Sequence, residues 1–200
     1  MPEPKSPKSS PPGNGQEPGA AKPLLQLFAQ YRRELTFIGI FVALLGGGFT
    51  VISLQPVNDA VIEPFTAGIA KVSGVTLNLL GQKITMKGTQ IRNEKFGVNI
   101  RNGCNGVETM IIFLAAVFAF PAPWKARFLG LGLGVVAIQA VNLVRVVALF
   151  LTGVYLPNLF DSSHTVIWQT IVILFGVLLW IFWANRYATP PAAAAPAEPG

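Results

Sequence analysis

Four long apolar runs limit what this chain can fold into more than any other feature. The first of them, residues 35–54, contains 20 consecutive residues without a charge. At about 1.5 Å of rise per residue, such a run spans a hydrocarbon core of roughly 30 Å as a helix. The composition agrees, because 52% of the 200 residues are hydrophobic and only 12% are charged. The chain is therefore predicted to be a predominantly α-helical, polytopic integral membrane protein, with no room for a separate soluble catalytic domain.

The predicted membrane-embedded domain covers residues 35–187. Its transmembrane helices are expected at residues 35–54, 105–120, 126–151 and 166–187. Glycines at positions 130, 132 and 134 are expected to form a close-packing face inside the third helix. The flanking segments, residues 1–34 and 188–200, are predicted to be disordered, the first as a cytoplasmic tail and juxtamembrane segment. No small-residue cleavage site follows the first apolar run, so this run is expected to be a retained anchor.

An extracytoplasmic insert, residues 55–104, is predicted between the first two transmembrane helices. Apolar residues recur every three or four positions at Val61, Phe65, Ile69 and Val72. This spacing predicts an amphipathic helix over residues 60–80 that lies on the membrane. Beyond Gly81 the apolar period changes to two, which predicts a small β-hairpin or three-stranded sheet. The alternating residues are Ile84 and Met86, then Phe96, Val98 and Ile100, with turns expected at residues 87–88 and 93–95.

The distribution of positive charge predicts the orientation in the membrane. The formal net charge of +6 is shared between the tail and positions beside the membrane, which indicates topology and lipid contact rather than nucleic-acid binding. The basic residues near one set of helix ends are Lys22, Arg32, Arg33, Lys125, Arg127 and Arg186. Those comparably close on the other side are Arg92, Lys95 and Arg101. The larger set is predicted to be cytoplasmic, which places the insert on the periplasmic face of a bacterial inner membrane.

Cys104, the only cysteine, lies where a polar segment becomes a membrane helix. A lone cysteine is more often a buried, small apolar side chain, but the glycines on either side, Gly103 and Gly106, favour a reactive residue here. If Asn105 is the N-cap, Glu108 is the third helical residue and completes a capping box. The helix N-terminus would then stabilise a thiolate, whereas burial would oppose it. Glu108 is expected to serve as a cap and as the partner of a nearby cation.

Two further side chains are candidates for chemistry. Arg145 interrupts a transmembrane run, and a charge in that position usually faces a partner or a water-filled cavity. Gln139, Asn142 and Arg145 recur every three residues and predict a polar stripe that faces the bundle interior. Arg145 is expected about 9 Å from the predicted helix end at Leu151. His164, the only histidine, precedes the last helix and is expected to stay neutral near its N-terminus. The helix count brings Cys104, Arg145 and His164 to one membrane face.

At these residues the sequence resembles the exosortase/archaeosortase family, over roughly residues 37–187. The resemblance is carried by Asn-Gly-Cys104-Asn-Gly at the start of a membrane helix, by Asn142-Leu-Val-Arg145 in the next helix and by His164 before the last. Asn-Gly-Cys-Asn-Gly-Val-Glu, Phe-Pro-Ala-Pro-Trp and Ala-Ile-Gln-Ala-Val-Asn-Leu-Val-Arg are most similar to the exosortase H subgroup. Other exosortases are larger and have more membrane helices, so this chain resembles a compact subgroup.

The resemblance implies a membrane cysteine protease or transpeptidase, similar in chemistry to sortase, that acts through a thioester. Carried onto this chain, it implies Cys104 as nucleophile, Arg145 as oxyanion stabiliser and His164 as general acid/base. Asn105, Glu108 and Asn142 are expected to support them. The implied partners are membrane lipids, exported proteins with a C-terminal sorting tail of motif, transmembrane segment and basic cluster, and an unknown acceptor nucleophile. The chain has no metal-ligand spacing or phosphate-binding glycine loop, so no cofactor or metal is expected.

Other classes of function stay open at the level of sequence. A non-catalytic membrane assembly factor for exported proteins or polysaccharide would use Cys104 as filler or in an intermolecular disulfide. A thiol oxidoreductase normally needs a second cysteine, which this chain lacks. A small carrier would place Arg145 in a polar stripe, but the broken helices and repeats of many carriers are absent. Replacement of Cys104 by alanine separates these classes, because only peptide processing should depend strongly on both Cys104 and Arg145.

Overall fold

The computed structural model describes residues 31–188. The chain divides into two compact units, Met1–Thr36 and Phe37–Gly200. Of the first unit, the described part is the beginning of a helix, in which the Thr36 hydroxyl donates a hydrogen bond of 2.7 Å to the carbonyl oxygen of Arg32. This helix begins at Arg32, whereas the sequence predicted its start at Leu35. Most of both predicted disordered tails, together with Lys22, lies outside the described residues.

The second unit contains a small sheet and the described helices, the first of which begins in the first unit. The helices are α1 (Arg32–Ser53), α2 (Gln55–Leu79), α3 (Val107–Ala119), α4 (Trp124–Tyr155) and α5 (Trp168–Trp183). The strands are β1 (Thr85–Lys87), β2 (Gln90–Arg92) and β3 (Gly97–Asn99). Wider π-helical turns occupy Asn58–Ile62 within α2, Ser163–Ile167 before α5 and Ala184–Ala188 after it. A 3₁₀ turn, Pro157–Leu159, and an α-helical turn, Phe160–Ser162, connect α4 to this last helical region.

Four helices in the described part of the chain are long and apolar enough to cross a membrane. They are α1, α2, α4 and α5 with its extension to Ala188. The predicted class, a polytopic and mainly helical membrane protein, is therefore confirmed. The predicted second span corresponds to α3, whose 13 residues extend only about 20 Å. The 25-residue α2 joins the set because it begins at Gln55, before the predicted amphipathic helix.

The inner face of α2 consists largely of small and polar residues with Ile62 and Leu77, and Ile69 is the member of the predicted apolar stripe that packs against this core. Val61 and Val72, two members of that stripe, are 58% and 52% exposed. The buried residues of Glu63–Leu79 are Thr66, Ala70, Ser73, Gly74 and Leu77. Membrane helices differ from soluble ones in this way, because lipid accepts an apolar outer face and close helix packing favours small residues inside. The helix was predicted correctly, but its protein-facing side was predicted only in part, at Ile69 and not at Val61 or Val72.

The predicted three-stranded sheet is confirmed. Its strands are antiparallel in the order β1-β2-β3, with Ile91 opposite Met86 on one side and Val98 on the other. Both turns fall where the sequence predicted them, and the Asn93 side chain accepts hydrogen bonds from the amides of Lys95 and Phe96. One face of the sheet is buried against α2 and α4. This cluster contains Ala70, Leu77, Ile84, Ile91, Ile100, Val146 and Phe150.

A second apolar cluster joins α3, α4 and α5. The Trp183 indole donates a hydrogen bond of 2.7 Å to the carbonyl oxygen of Ala126. A Cβ atom at Gly130 would lie 2.5 Å from Trp183 Nε1, and one at Gly134 would overlap the ring of Phe113. Gly132 faces open space, so the predicted glycine face is correct at positions 130 and 134 and wrong at position 132. Positions four apart share one side of a helix, which explains the difference.

Candidate active site

Residues 100–106, called the Cys104 loop below, connect β3 to α3 in a tight turn. The Cys104 amide donates to the carbonyl oxygen of Arg101 at 2.9 Å, and the Gly103 amide donates to Glu108 Oε1 at 2.6 Å. The N-cap of α3 is Gly106, in a left-handed conformation with φ of 77°. The predicted capping box is therefore wrong, because the left-handed glycine moves the helix start one residue along. The Glu108 carboxylate instead accepts the hydrogen bond from the Gly103 amide. Among the described residues its partner is therefore this backbone amide and not the predicted cation.

Asn105 anchors the loop in the protein interior. Its side chain is fully buried and donates to Thr66 Oγ1 at 2.9 Å and to Asn102 Oδ1 at 3.2 Å. Its Oδ1 accepts a hydrogen bond of 3.1 Å from the Val107 amide. The Asn105 side chain thus links α2, the loop and the first residue of α3. Thr66 was not recognised from the sequence, where it resembles any threonine of an amphipathic helix.

Gly106 lets the Cys104 loop lie directly against α4. A Cβ atom at this position would lie 3.0 Å from Gln139 Nε2 and 3.1 Å from Asn142 Cγ. The close approach allows Gln139 Nε2 to donate to the carbonyl oxygen of Asn105 at 3.2 Å. A glycine is needed here for two reasons, its positive φ and the absence of a side chain.

The structure brings Cys104, Arg145 and His164 together. His164 Nε2 lies 2.7 Å from Cys104 Sγ, and Arg145 Nη2 lies 3.9 Å from the same sulfur. The Arg145 side chain is only 2% exposed. The helix that carries it ends later than predicted: α4 continues to Tyr155, so Arg145 lies about 15 Å from the helix end rather than about 9 Å. A thiol, an imidazole and a guanidinium therefore converge on one point.

The electrostatic setting favours neutral forms of the thiol and the imidazole. Burial raises the pKa of the Cys104 thiol; the positive charge of Arg145 opposes this rise and Glu108 adds to it. Burial lowers the pKa of His164, and Arg145 lowers it further while Asp161 opposes the change. The sequence suggested a thiolate stabilised by the helix N-terminus, whereas the pKa of the Cys104 thiol is raised, chiefly by burial. The expectation that His164 stays neutral agrees with the direction of its pKa shift.

Aromatic packing holds His164, and the sequence alone did not reveal it. The imidazole stacks on the ring of Phe160, with centroids 5.9 Å apart and planes inclined by 8°. Phe160 in turn meets Phe96 at 5.2 Å in an edge arrangement. Phe96 fits against α4 because Gly153 has no side chain to occupy that space. Phe160 belongs to no recognisable sequence motif, so its role is apparent only from its contact with His164.

The predicted polar stripe of α4 faces the protein interior. Asn142 and Arg145 are buried, and Gln139 reaches the Cys104 loop. Within residues 31–188, neither polar atom of the Asn142 side chain has a hydrogen-bond partner, and the same holds for Gln139 Oε1 and Arg145 Nε. Buried polar atoms of this kind usually bind ordered water. Asn142 therefore lies next to the Cys104 loop, but its side chain makes no hydrogen bond to Cys104.

An apolar cavity of ≈ 340 Å³ opens beside the thiol. Its lining residues are Val98, Asn99, Ile100, Arg101, Asn102, Cys104, Val146, Leu149, Phe160 and His164. Two of the three converging side chains thus form part of its wall. Neither here nor elsewhere among the described residues is a group of three or more His, Cys, Asp or Glu residues arranged to hold a metal ion.

The fold and the site define a multi-pass membrane protein in which a half-buried thiol and imidazole meet a buried guanidinium. A model of the transmembrane exosortase family matches residues 25–184. The match covers all three converging side chains and most of the chain, so the protein belongs to the transmembrane exosortase family, whose members serve protein sorting at membranes. No curated protein and no solved structure matches the chain.

Proposed function

We propose that this protein is a membrane cysteine protease or transpeptidase that removes the C-terminal sorting tails of exported proteins. The observation that carries the proposal is the 2.7 Å contact between Cys104 Sγ and His164 Nε2, with Arg145 Nη2 3.9 Å from the same sulfur. This arrangement supplies a nucleophile, a proton acceptor and a positive charge for a developing oxyanion. Membership of a membrane protein-sorting family supports it.

In the proposed first step, His164 accepts the thiol proton while Cys104 Sγ attacks the scissile carbonyl carbon. The carbonyl oxygen becomes an oxyanion next to the Arg145 guanidinium. The carbon–nitrogen bond then breaks, His164 returns the proton to the leaving amine, and the acyl group remains on sulfur as a thioester. Water releases it in a protease, and an acceptor nucleophile releases it in a transpeptidase.

The protonation states explain why Arg145 is needed. A pKa of Cys104 above its ordinary value and a pKa of His164 below its own keep the resting pair uncharged. Charge therefore separates only during attack, when the imidazole becomes positive and the substrate oxygen negative. A buried guanidinium stabilises that oxygen more strongly than it would in water, because the surroundings have a low dielectric constant.

The proposed substrates are membrane-anchored themselves. A tail of short motif, transmembrane segment and basic cluster would diffuse in the plane of the inner membrane and present its motif at the periplasmic face at a fixed depth. Tethering raises the effective concentration of a weak motif. The resemblance to the H subgroup favours tails of the Ile-Pro-Thr-Leu-x-x-Trp-Gly kind over Pro-Glu-Pro. Moving the motif several residues from the membrane segment should abolish processing.

The test is replacement of Cys104 by alanine in the cell that makes the protein. Mass spectrometry then measures whether exported proteins with C-terminal anchor tails retain them. We expect uncut tails to accumulate in Cys104→Ala cells. Arg145→Gln and His164→Ala should show the same defect, whereas Lys87→Ala, on the exposed strand β1, serves as a matched surface control.

Membrane extraction and immunoblotting establish that each variant reaches the membrane at a normal level. Normal tail removal by Cys104→Ala, in cells without a second copy of such an enzyme, would contradict the proposal. That result would instead favour a non-catalytic assembly factor for exported proteins or polysaccharide.

A further inference from the structure

We propose that the free edge of β3 binds the substrate peptide as an added β-strand and places an apolar substrate side chain in the cavity beside Cys104. The inference rests on the proposed function and specifies how the same site recognises its substrate. Strand addition uses main-chain hydrogen bonds for affinity and pockets for alternate side chains for selectivity. Both elements are present next to the thiol.

The first element is an open strand edge. In the described sheet, β3 pairs with β2 on one side. The Ile100 amide donates to Thr89 and the Asn93 amide donates to Phe96, so the main-chain groups of alternate residues 96, 98 and 100 point toward β2. Because the direction alternates along a strand, the N–H and C=O groups of Gly97 and Asn99 point to the free edge. Both residues are exposed.

The second element is the apolar cavity at that edge. Residues 98–102 line it beside the strand, and Val146, Leu149 and Phe160 contribute apolar side chains from α4 and the turn before α5. Cys104 and His164 lie on the same cavity. A peptide on the edge of β3 therefore runs alongside the nucleophile, which is what cleavage requires.

The pleat of the sheet explains why the substrate side chain should be apolar. Ile91 and Ile100 are buried on the inner face of the sheet, and Val98 packs against the same cluster. An added strand continues this pleat, so every second side chain points inward and extends the apolar layer. The inward residue nearest Cys104 would enter the cavity between Val98 and Leu149. A charged side chain there would lose its hydration without a partner.

The experiment compares reactive probes on the purified full-length protein in lipid nanodiscs. The probes are acetyl-Ala-Ala-X chloromethyl ketones with X as Leu or Asp, and chloroacetone as the reactive group without a peptide. In each reaction Cys104 Sγ forms a bond to the methylene carbon, chloride leaves, and the thiol proton is released through His164. Intact-mass spectrometry gives the rate of labelling. We expect the Leu probe to react about 10-fold or more faster than the Asp probe and chloroacetone, since one well-matched apolar side chain commonly contributes this factor.

Two variants isolate the strand edge. Asn99→Pro removes the main-chain N–H that points to the free edge and leaves the N–H groups directed at β2, a position where proline is tolerated. Asn99→Ala is the matched control, because it removes the same side-chain acceptor of the Thr89 hydroxyl and keeps the N–H. Asn99→Pro should slow the Leu probe about 10-fold relative to Asn99→Ala when each rate is divided by the chloroacetone rate of the same variant.

N-methylation of the Leu probe provides a test without any variant. Methylation of one of two consecutive amides should slow labelling, whereas methylation of its neighbour should not, because only alternate groups face β3. Equal rates for Leu, Asp and chloroacetone, or equal rates for Asn99→Pro and Asn99→Ala, would overturn strand addition. The proposed function fails by a different measurement, normal tail removal in Cys104→Ala cells.

Discussion

The imidazole of His164 lies parallel to the ring of Phe160, and this stacking directs Nε2 to the sulfur of Cys104. The centroids are 5.9 Å apart and the planes are inclined by 8°. Stacking fixes the plane of the imidazole ring and therefore limits its freedom to turn away from the thiol. In the proposed reaction Phe160 therefore acts through His164, as a positioning residue.

Replacement of Phe160 by leucine should slow tail processing between about 10- and 100-fold, because the imidazole loses its fixed orientation. Phe160→Tyr keeps the ring and should retain most of the activity. Processing of a tail-bearing reporter in membrane vesicles measures the rate. Alkylation of Cys104 by iodoacetamide should slow in Phe160→Leu as well, because His164 no longer accepts the thiol proton. An unchanged alkylation rate would argue against the positioning role.

The pH dependence of processing should follow the neutral form of His164. Its pKa is lowered chiefly by burial and then by Arg145, so the acid limb should lie below the ordinary histidine value of about 6.5. The rate should be constant near neutral pH and should fall only as the imidazole is protonated at lower pH. Vesicle assays across the acidic range measure this limb. A limb above the ordinary histidine value would contradict a half-buried imidazole that is neutral at rest.

Removing the charge of Arg145 should move both titrations upward. Arg145 lowers the pKa of Cys104 and of His164, so Arg145→Gln should raise the pH of the acid limb and of the midpoint of Cys104 alkylation. The same variant should slow processing about 100-fold or more, because it removes the oxyanion partner. Arg145→Lys keeps the charge and should leave both midpoints closer to those of the native protein. A rate loss without any shift in the midpoints would place Arg145 away from the pair.

The two glycines of the Cys104 loop should differ in their response to alanine. Gly103 and Gly106 both have positive φ, 88° and 77°, so each alanine costs about 1–2 kcal/mol of backbone strain. A Cβ at Gly103 meets open space, whereas one at Gly106 meets Gln139 and Asn142. Gly106→Ala should therefore lower the thermal unfolding midpoint in detergent further than Gly103→Ala does. Equal midpoints would show that the loop shifts to accept the methyl group.

Loss of Asn105 should loosen the loop from α2. Asn105→Ala removes the buried hydrogen bonds to Thr66, Asn102 and Val107, and the groups left unpaired should cost about 1–3 kcal/mol. Asn102→Ala is the control, because Asn102 is exposed and its bonds exchange with water. Thermal unfolding in detergent measures both variants. A destabilisation by Asn102→Ala as large as that of Asn105→Ala would be inconsistent with the anchoring role.

The membrane class, the small sheet and the polar stripe of α4 were predictable from local patterns. Long uncharged runs indicate helices in lipid, and apolar residues at every second position indicate a strand. A charged residue such as Arg145 in an apolar helix indicates a face turned towards the protein interior. The face of α2 was not predictable in this way, since Val61 and Val72 form a good apolar stripe whether they contact lipid or protein. The start of α3 was also missed, because Asn105 and Glu108 fit a capping box as well as they fit the observed loop.

The sequence by itself determined the kinds of groups available: a single thiol, a single imidazole and a guanidinium in apolar surroundings. Only the tertiary structure decided their distances, because Cys104 and His164 are 60 residues apart and meet through the packing of α3, α4 and the turn before α5. It also decided their protonation, since the pKa shifts of both residues come mainly from burial. The burial of Cys104 and His164 is a property of the packed chain, and the residues next to them in the sequence do not encode it.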